Sequence, residues 1–339
     1  MKSVRVEDAV GMVLAHDLTK IVPGVFKGAA YKKGHIINQE DIEELKRMGK
    51  NHLFVLELDE NTLHEDDAAA RIAGAAAGDN IILEGPSEGK ISFKAEKKGL
   101  LKINVEALNE INDIEDIIIS TLHDNSVVEK GKTVAGTRII PLTTEKGKVE
   151  KVEGICGRLG KIIWVKELVQ RKVGVVVTGT EVFEGRITDK FGPVLRNKVM
   201  ESGCLLTGIK YAPDNKDMIK DAIEAQIQGG AEIVLVSGGM SVDADDVTPK
   251  AIREVSGRVI TYGAPVLPGA MFMLAYRGNT PVIGVPACGM YHKITIFDII
   301  FPRILAGEEV NRRDITRLGH GGLCQNCSSC SYPNCAFGK

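Results

Sequence analysis

The chain has 339 residues, 44% hydrophobic and 26% charged, with 43 Lys and Arg against 45 Asp and Glu for a formal net charge of −2. This length and balance support two or three domains with a sizeable core and exclude global disorder, and without a basic excess they argue against nucleic acid as a partner. The opening MKSVRVEDAV lacks the charged and apolar regions of a secretory signal, and no apolar run approaches the ~20 residues needed to span a bilayer, so a cytoplasmic protein without a membrane partner is expected.

The first elements are short and mixed. IINQEDIEELKRMGK predicts a helix with Asn38 as N-cap, Asp41 answering it and Gly49 as the stop, with Ile42, Leu45 and Met48 on one face. LFVLEL predicts a strand, and EDDAAARIAGAAA a second helix whose acids sit in the first turn, where the helix dipole favours them. From Glu84 to Pro141, runs such as KISFKA, GLLKINV, DIIISTL and TVAGTRIIP alternate with Gly, Asp and Asn, which predicts a β-rich module with one short helix near Glu106 to Ile111. The charged stretch Thr143 to Lys151 reads as a joint, and the boundary to the next domain is expected near Leu168 to Lys172. Trp164 is expected in the core near that boundary.

From Val173 the pattern becomes regular. VGVVVTG is an apolar run of the parallel-strand type. FGPVLRNKVMESG predicts a helix, LLTGIKYAPD a strand, and NKDMIKDAIEAQIQGG a helix capped by Asp214. EIVLVSGG predicts the third strand and DDVTPKAIREV a helix with Pro249 in its first turn. Strand-helix alternation at this spacing implies right-handed crossovers and a doubly wound, mostly parallel α/β sheet, preceded by the mixed and β-rich N-terminal region. MFMLAYRG and TPVIGVP continue it as β-structure, and a long helix from Ala287 to Leu305, distorted at Pro302, closes it. The expected division is 1–83, 84–170, 171–310 and a cysteine-rich tail, 311–339.

In such a sheet, ligands bind beyond the carboxyl ends of the strands, where the strand order reverses. Those ends read TGTEVFEGRITD, APDNKD and SGGMSVDADD. Gly238 and Gly239 allow close backbone approach, and their N–H groups, with those opening the next helix, suit an anion. Ser241 adds a hydroxyl. Asp243, Asp245 and Asp246 would repel a bare phosphate, but fit if Mg²⁺ bridges carboxylate and phosphate. A glycine turn followed by helix-capping acids is the plain alternative. Glu181, Asp189 and Asp214, expected on the same rim, favour a site.

TGTE (Thr178 to Glu181), GRITD (Gly185 to Asp189), SGGMSVDADD and VLPGAMF (Val266 to Phe272) occur in the order found in the molybdopterin-binding domain, and Val173 to Ala306 resembles that family throughout. The family includes molybdopterin adenylyltransferase and molybdopterin molybdotransferase. AVGMVLAHDLTKIVPG and YKKGHIINQEDIEELKRMG resemble, more loosely, the opening segment of the molybdotransferase branch. The resemblance implies molybdopterin and molybdate as ligands, with Asp246, Glu181 and Asp214 in the catalytic set. Gly238, Gly239 and Ser241 match its cofactor cradle, with Pro268 and Gly269 as a bordering turn, and Thr178, Gly179, Asp189 and Asp243, on the same strand ends, are expected to join them in cofactor binding. The resemblance also implies a homodimer and a client molybdoenzyme.

Four positions depart from the family pattern. Asp243 stands where Gly is usual, and Asn215 replaces the second acid of a pair. VPACGM (Val285 to Met290) keeps Pro286 but not the Gly-Asn-Pro of the family turn, and the usual C-terminal β-domain does not follow Gly307. Molybdate insertion is therefore set beside a non-catalytic carrier or maturation factor, and beside nucleotide pyrophosphatase chemistry of the competence-damage-induced type.

Cys324, Cys327, Cys330 and Cys335 give Cys-x2-Cys-x2-Cys-x4-Cys within twelve residues. Four thiolates at this spacing fit an iron–sulfur cluster or Zn²⁺, with an exposed thiol tail as the plain alternative. His64, His123 and His320 read as surface or capping residues. Cys288 stands at a helix start, where a thiol pKa can fall, and reads otherwise as packing.

Overall fold

The computed structural model describes residues 2–22, 26–55, 61–87 and 89–339. The chain forms two compact units, 1–124 with 128–166 and 125–127 with 167–339.

In the first unit, Lys2–Arg5 pairs antiparallel with His52–Val55, and Leu18–Val22 with Phe26–Tyr31. Helix Asp41–Arg47 covers a small core of Val6, Leu14, Ile37, Leu45 and Leu53. Its cap position is Glu40 rather than Asn38, but Asp41 answers Asn38 as expected, its carboxylate accepting the Asn38 N–H at 2.8 Å. The expected LFVLEL strand runs through Val55, and its last three residues lie outside the described ones.

The rest of this unit includes a four-stranded sheet in the order Ile81–Ser87, Lys90–Ala95, Thr133–Ile139, Ile117–Thr121. Helix Glu65–Ala76 shares its core through Ala68, Ala69, Ile72, Ala73 and Ala76, all fully buried. His64 caps that helix, accepting the Asp66 N–H at 3.2 Å. The stretch expected as a joint is structured instead. Thr143–Glu145 pairs with Thr62–His64, and Lys146–Leu159 is a helix burying Val149, Val152, Ile155 and Cys156. Those four fall on one helical stripe, but Gly147, Gly154 and Gly157 dilute the helical signal between them. Trp164 is half-buried rather than a core residue.

The second unit supplies the strand ends that matter for function. Its elements are β1 (Lys172–Thr178), α1 (Thr180–Phe183), α2 (Phe191–Glu201), β2 (Leu205–Ala212), α3 (Lys216–Gln228), β3 (Ile233–Ser237), α4 (Thr248–Val255), β4 (Arg258–Tyr262), β5 (Met273–Arg277), β6 (Thr280–Val285), α5 (Ile296–Leu305) and α6 (Arg312–Thr316). The sheet order is β2-β1-β3-β6-β5-β4. β2, β1, β3 and β6 are parallel, and β5 and β4 complete the sheet antiparallel.

Alternation along the strands explains why both faces are covered. Val173, Val175, Ile233 and Leu235 face a core with α2 and α5, whereas Val176, Val234 and Val236 face one with α3 and α4. Each such fully buried valine or leucine stabilises the fold by about 1.5–3 kcal/mol.

The expected helix from Ala287 to Leu305 is two pieces. Ala287–Met290 makes one tight turn, and α5 starts afresh where Thr295 and Asp298 form a capping box. Asn215 rather than Asp214 caps α3, accepting the Asp217 and Met218 N–H groups at 3.1 Å each. Ile315 and Phe337 are buried in the same core as α5, so the chain beyond residue 310 packs onto this unit. Among the described residues no helix is long and apolar enough to cross a membrane.

Candidate functional site

The chain leaves β1 toward β2 on one side and returns to β3 on the other, so the strand order reverses between β1 and β3. The loops after these strands therefore splay apart and leave a crevice, the usual ligand position in such sheets. Two glycines bring the loops close at its floor. Gly238, at φ +98°, lies so near β1 that a Cβ would stand 2.1 Å from the Thr178 carbonyl oxygen. A Cβ on Gly239 would stand 2.9 Å from Thr248 Oγ1. Thr178 and Thr248, both buried, hydrogen-bond through their hydroxyls at 3.1 Å. Thr178, expected to contact the ligand, thus ties the end of β1 to the start of α4.

Two carboxylates share a division of labour. Asp214 Oδ2 accepts the Thr180 N–H at 2.8 Å and its hydroxyl at 3.0 Å, which fixes the loop after Gly179. Asp246 Oδ2 accepts the Asp243 N–H at 3.0 Å, which closes the turn after Ser241. The remaining oxygen of each, Oδ1, lies 3.6 Å from the point a Gly239 Cβ would occupy. One small space over Gly239 is thus faced by two carboxylate oxygens whose partners' loops are already held.

Asp189 is placed differently from expectation. Its carboxylate accepts the N–H groups of Phe191 and Gly192 at 2.7 and 3.0 Å and the Tyr211 hydroxyl at 3.0 Å. It borders the crevice, but its oxygens are spent on starting α2. Glu181 is exposed on the rim, in α1. Ser241, Asp243 and Asp245 are also exposed, on the loop after β3.

Two cavities meet at Gly238 and Gly239. The larger, ≈ 750 Å³, is bordered by Glu181, Lys190, Asp214, Asp246 and Tyr291. The smaller, ≈ 260 Å³, is bordered by Ser241, Asp243, Asp246, Met271 and Cys288. Their size is that of ordinary small-molecule sites. A further cavity of ≈ 610 Å³ lies at the opposite strand ends, but its arginines are paired, Arg171 with Glu232 at 2.8 Å and Arg258 with Glu309 at 2.6 Å.

Pro268 and Gly269 line neither of the two adjoining cavities. Gly269 packs on the start of α5, where a Cβ would stand 2.7 Å from Ile296 Cγ2, and the next residues, Ala270 and Met271, reach the smaller cavity instead. Cys288 is half-buried, and burial pushes its thiol above the usual range rather than below it.

Sequence reading missed three contributors. Lys190 places a cation on the rim of the larger cavity, and its position directly after the GRITD motif was the available signal. Thr248 anchors Thr178, and lies next to Pro249, which marked the helix start. Tyr262, from β4, donates to the carbonyls of Met240 at 2.9 Å and Ser241 at 3.0 Å. Burial, then the Asp246 charge, raises its phenol pKa and keeps it a donor. Nothing local to Tyr262 announced this, since it depends on an antiparallel strand returning to the site.

In the tail, Cys324 and Cys335 are half-buried against the α5 core, and Cys327 and Cys330 are exposed. All four are free. Among the described residues, no three His, Cys, Asp or Glu side chains stand together as a metal site.

Comparison with known proteins gives matches to parts of the chain. Residues 3–57 match a domain of unknown function, DUF8806, and residues 174–306 match the family described as "Probable molybdopterin binding domain". A CinA-like protein of Mycobacterium tuberculosis is 32% identical over 90 residues, 26% of this chain and 21% of the relative. A CinA-like protein of Mycobacterium avium is 33% identical over 98 residues, 29% of this chain and 23% of the relative. The chain thus spans about a fifth of the length of these curated relatives. Among solved structures, the molybdopterin biosynthesis enzyme MoaB of Thermus thermophilus is 19% identical, with 41% of this chain and 98% of that chain covered and a TM-score of 0.36. Residues 174–306 of this chain are thus similar to the family described as a probable molybdopterin binding domain.

Proposed function

We propose that the chain serves molybdenum cofactor biosynthesis by binding molybdopterin, or its adenylylated form, in the crevice between β1 and β3 and promoting molybdate insertion there. The observation that carries this reading is the pair of carboxylate oxygens, Asp214 Oδ1 and Asp246 Oδ1, turned to one space over Gly239 beside a ligand-sized cavity. The Gly238 and Gly239 N–H groups and the amino end of α4, which has no side-chain cap, suit the ligand's phosphate. The two carboxylates fit Mg²⁺, which usually binds one or two acids plus ligand oxygens, and when bound it supplies the positive charge that lets phosphate and acids share a rim. Asp214 and Asp246 would hold it. Glu181 and Lys190 flank the place where molybdate would approach, and Tyr262 fixes the loop through its backbone carbonyls.

The test is molybdate insertion into molybdopterin by the purified chain and by Asp246→Ala. Loss of a preorganised charge of this kind is expected to lower turnover about 10²-fold or more. Equal turnover by both would contradict the proposal, and tight binding without turnover by either would leave a carrier of the cofactor as its function.

The acid-rich loop Ser237 to Asp246, with Ser241, Asp243 and Asp245 exposed, permits a second reading, hydrolysis of a nucleotide pyrophosphate in the same crevice. Mg²⁺-dependent release of nucleoside monophosphate from a dinucleotide pyrophosphate, abolished by Asp246→Ala, would support it over insertion.

A further inference from the structure

We infer that the loop between Gly321 and Gly338 is a metal-binding loop whose four thiolates, from Cys324, Cys327, Cys330 and Cys335, hold one thiophilic metal centre. The chain returns on itself at the base of this loop. The Gly338 N–H donates to the Gly321 carbonyl at 3.0 Å. A Cβ on Gly321 would stand 2.4 Å from the Lys339 carbonyl oxygen, and one on Gly338 would stand 2.5 Å from Ile299 Cδ1. Both ends are therefore held against each other and against α5. Cys324 lies three residues inside one end and Cys335 three residues inside the other, and both pack on the α5 core. The other two thiols fall on the exposed arc between them.

The base is pinned further. Leu323 bridges Leu267 in parallel, with the Leu267 N–H on the Gly322 carbonyl and the Cys324 N–H on the Leu267 carbonyl, each at 2.8 Å. Phe337 is buried in the core. Inside the loop the sequence CQNCSSCSYPNC offers Tyr332 as its one large apolar side chain. Such a segment cannot hold its arc by burial, and small segments of this kind are stapled by disulfides or metals. No disulfide is formed among these cysteines. Two-residue gaps separate the first three thiols and a four-residue gap separates the last, and in a loop closed at its base this spacing lets four thiolates converge as Zn²⁺ or iron–sulfur ligands. The thiols are not gathered beforehand, so the arc folds around the metal as it binds, and each cysteine releases its proton to solvent. The metal would also stiffen Leu267, three residues before Ala270 in the wall of the smaller cavity. This inference stands apart from the molybdopterin reading, because its readout is the metal itself.

The test uses the full chain, purified without oxygen or chelator, with metal and acid-labile sulfide quantified. Material that is apo as purified is reduced and given either Zn²⁺ or ferrous iron with sulfide. Zn²⁺ near one equivalent without visible absorption identifies a zinc site. Iron with sulfide and a visible charge-transfer band identifies a cluster. Because Cys327 and Cys330 are exposed, Cys327→Ser and Cys330→Ser are expected to lose the metal while keeping the circular dichroism and melting of the metal-free wild-type chain. Failure of the wild-type chain to retain metal under any of these conditions, or retention by the double variant, would overturn the inference.

Discussion

Asp214 and Asp246 reach the same point from the ends of different strands, each with one oxygen 3.6 Å from where a Gly239 Cβ would stand and the other committed to a backbone N–H, Thr180 in the loop after β1 for Asp214 and Asp243 in its own turn for Asp246. Charge and scaffolding are thus separable at Asp246. Asn at this position can still accept the Asp243 N–H, so Asp246→Asn is expected to unfold within about 1 kcal/mol of wild type. Its loss of charge should abolish any gain in ligand affinity on adding Mg²⁺, whereas Asp246→Ala should also loosen the 241–246 turn. Ligand titrations with and without Mg²⁺, beside denaturant unfolding, separate the two effects.

The two glycines should fail in different ways. Gly238→Ala places a Cβ against the Thr178 backbone at φ +98°, where neither can yield cheaply, and a loss of about 2 kcal/mol or more of stability is expected. Gly239, at φ +53°, lies in the left-handed region that other residues enter at about 1–2 kcal/mol. Its Cβ would stand 2.9 Å from the buried Thr248 hydroxyl, which must shift by a few tenths of an ångström, and would fill the space between the carboxylates. Gly239→Ala should fold and lose ligand. Chemical denaturation of both variants checks the order.

Much of this site was legible because the parallel sheet writes itself into sequence. The runs of Val and Ile in β1 and β3 are long because both faces are buried, and the glycines and acids follow them directly. The use made of each acid was not legible. Asp189, Asp214 and Asp246 are equivalent in sequence, and only the positions of Phe191, Thr180 and Asp243 N–H groups decide that Asp189 is spent while the other two keep an oxygen free. Nor was the packing of Gly269 legible, since the approach of Ile296 comes from a helix nearly thirty residues later. Helix Lys146–Leu159 escaped notice because glycines interrupt an otherwise regular stripe.

Tyr262 tests whether the loop is held from across the sheet. Tyr262→Phe removes both donations to the Met240 and Ser241 carbonyls, a cost of about 1 kcal/mol. Hydrogen exchange should speed up in residues 239–246 more than in β3. Unchanged exchange in that loop would show that Tyr262 does not restrain it.

In the first unit, Glu65 is 4% exposed, and burial, reinforced by the Asp66 charge, raises its pKa despite Arg138 at 3.9 Å. The folded state therefore favours the protonated acid, and this contribution weakens as pH rises from the ordinary glutamate range through the raised value. Glu65→Gln is expected to be more stable than wild type at neutral pH, with the advantage shrinking as pH falls toward 4. Denaturant midpoints between pH 4 and 8 measure it.

In the proposed function the crevice over Gly239 holds molybdopterin. Anaerobic titration of the full chain with molybdopterin, followed by pterin fluorescence, tests it most directly, with Gly239→Ala as the matched variant. Saturable binding to one site per chain, lost in Gly239→Ala while that variant still unfolds cooperatively, is the result predicted. Folded wild-type chain that shows no saturation, or Gly239→Ala that binds as tightly as wild type, would contradict it.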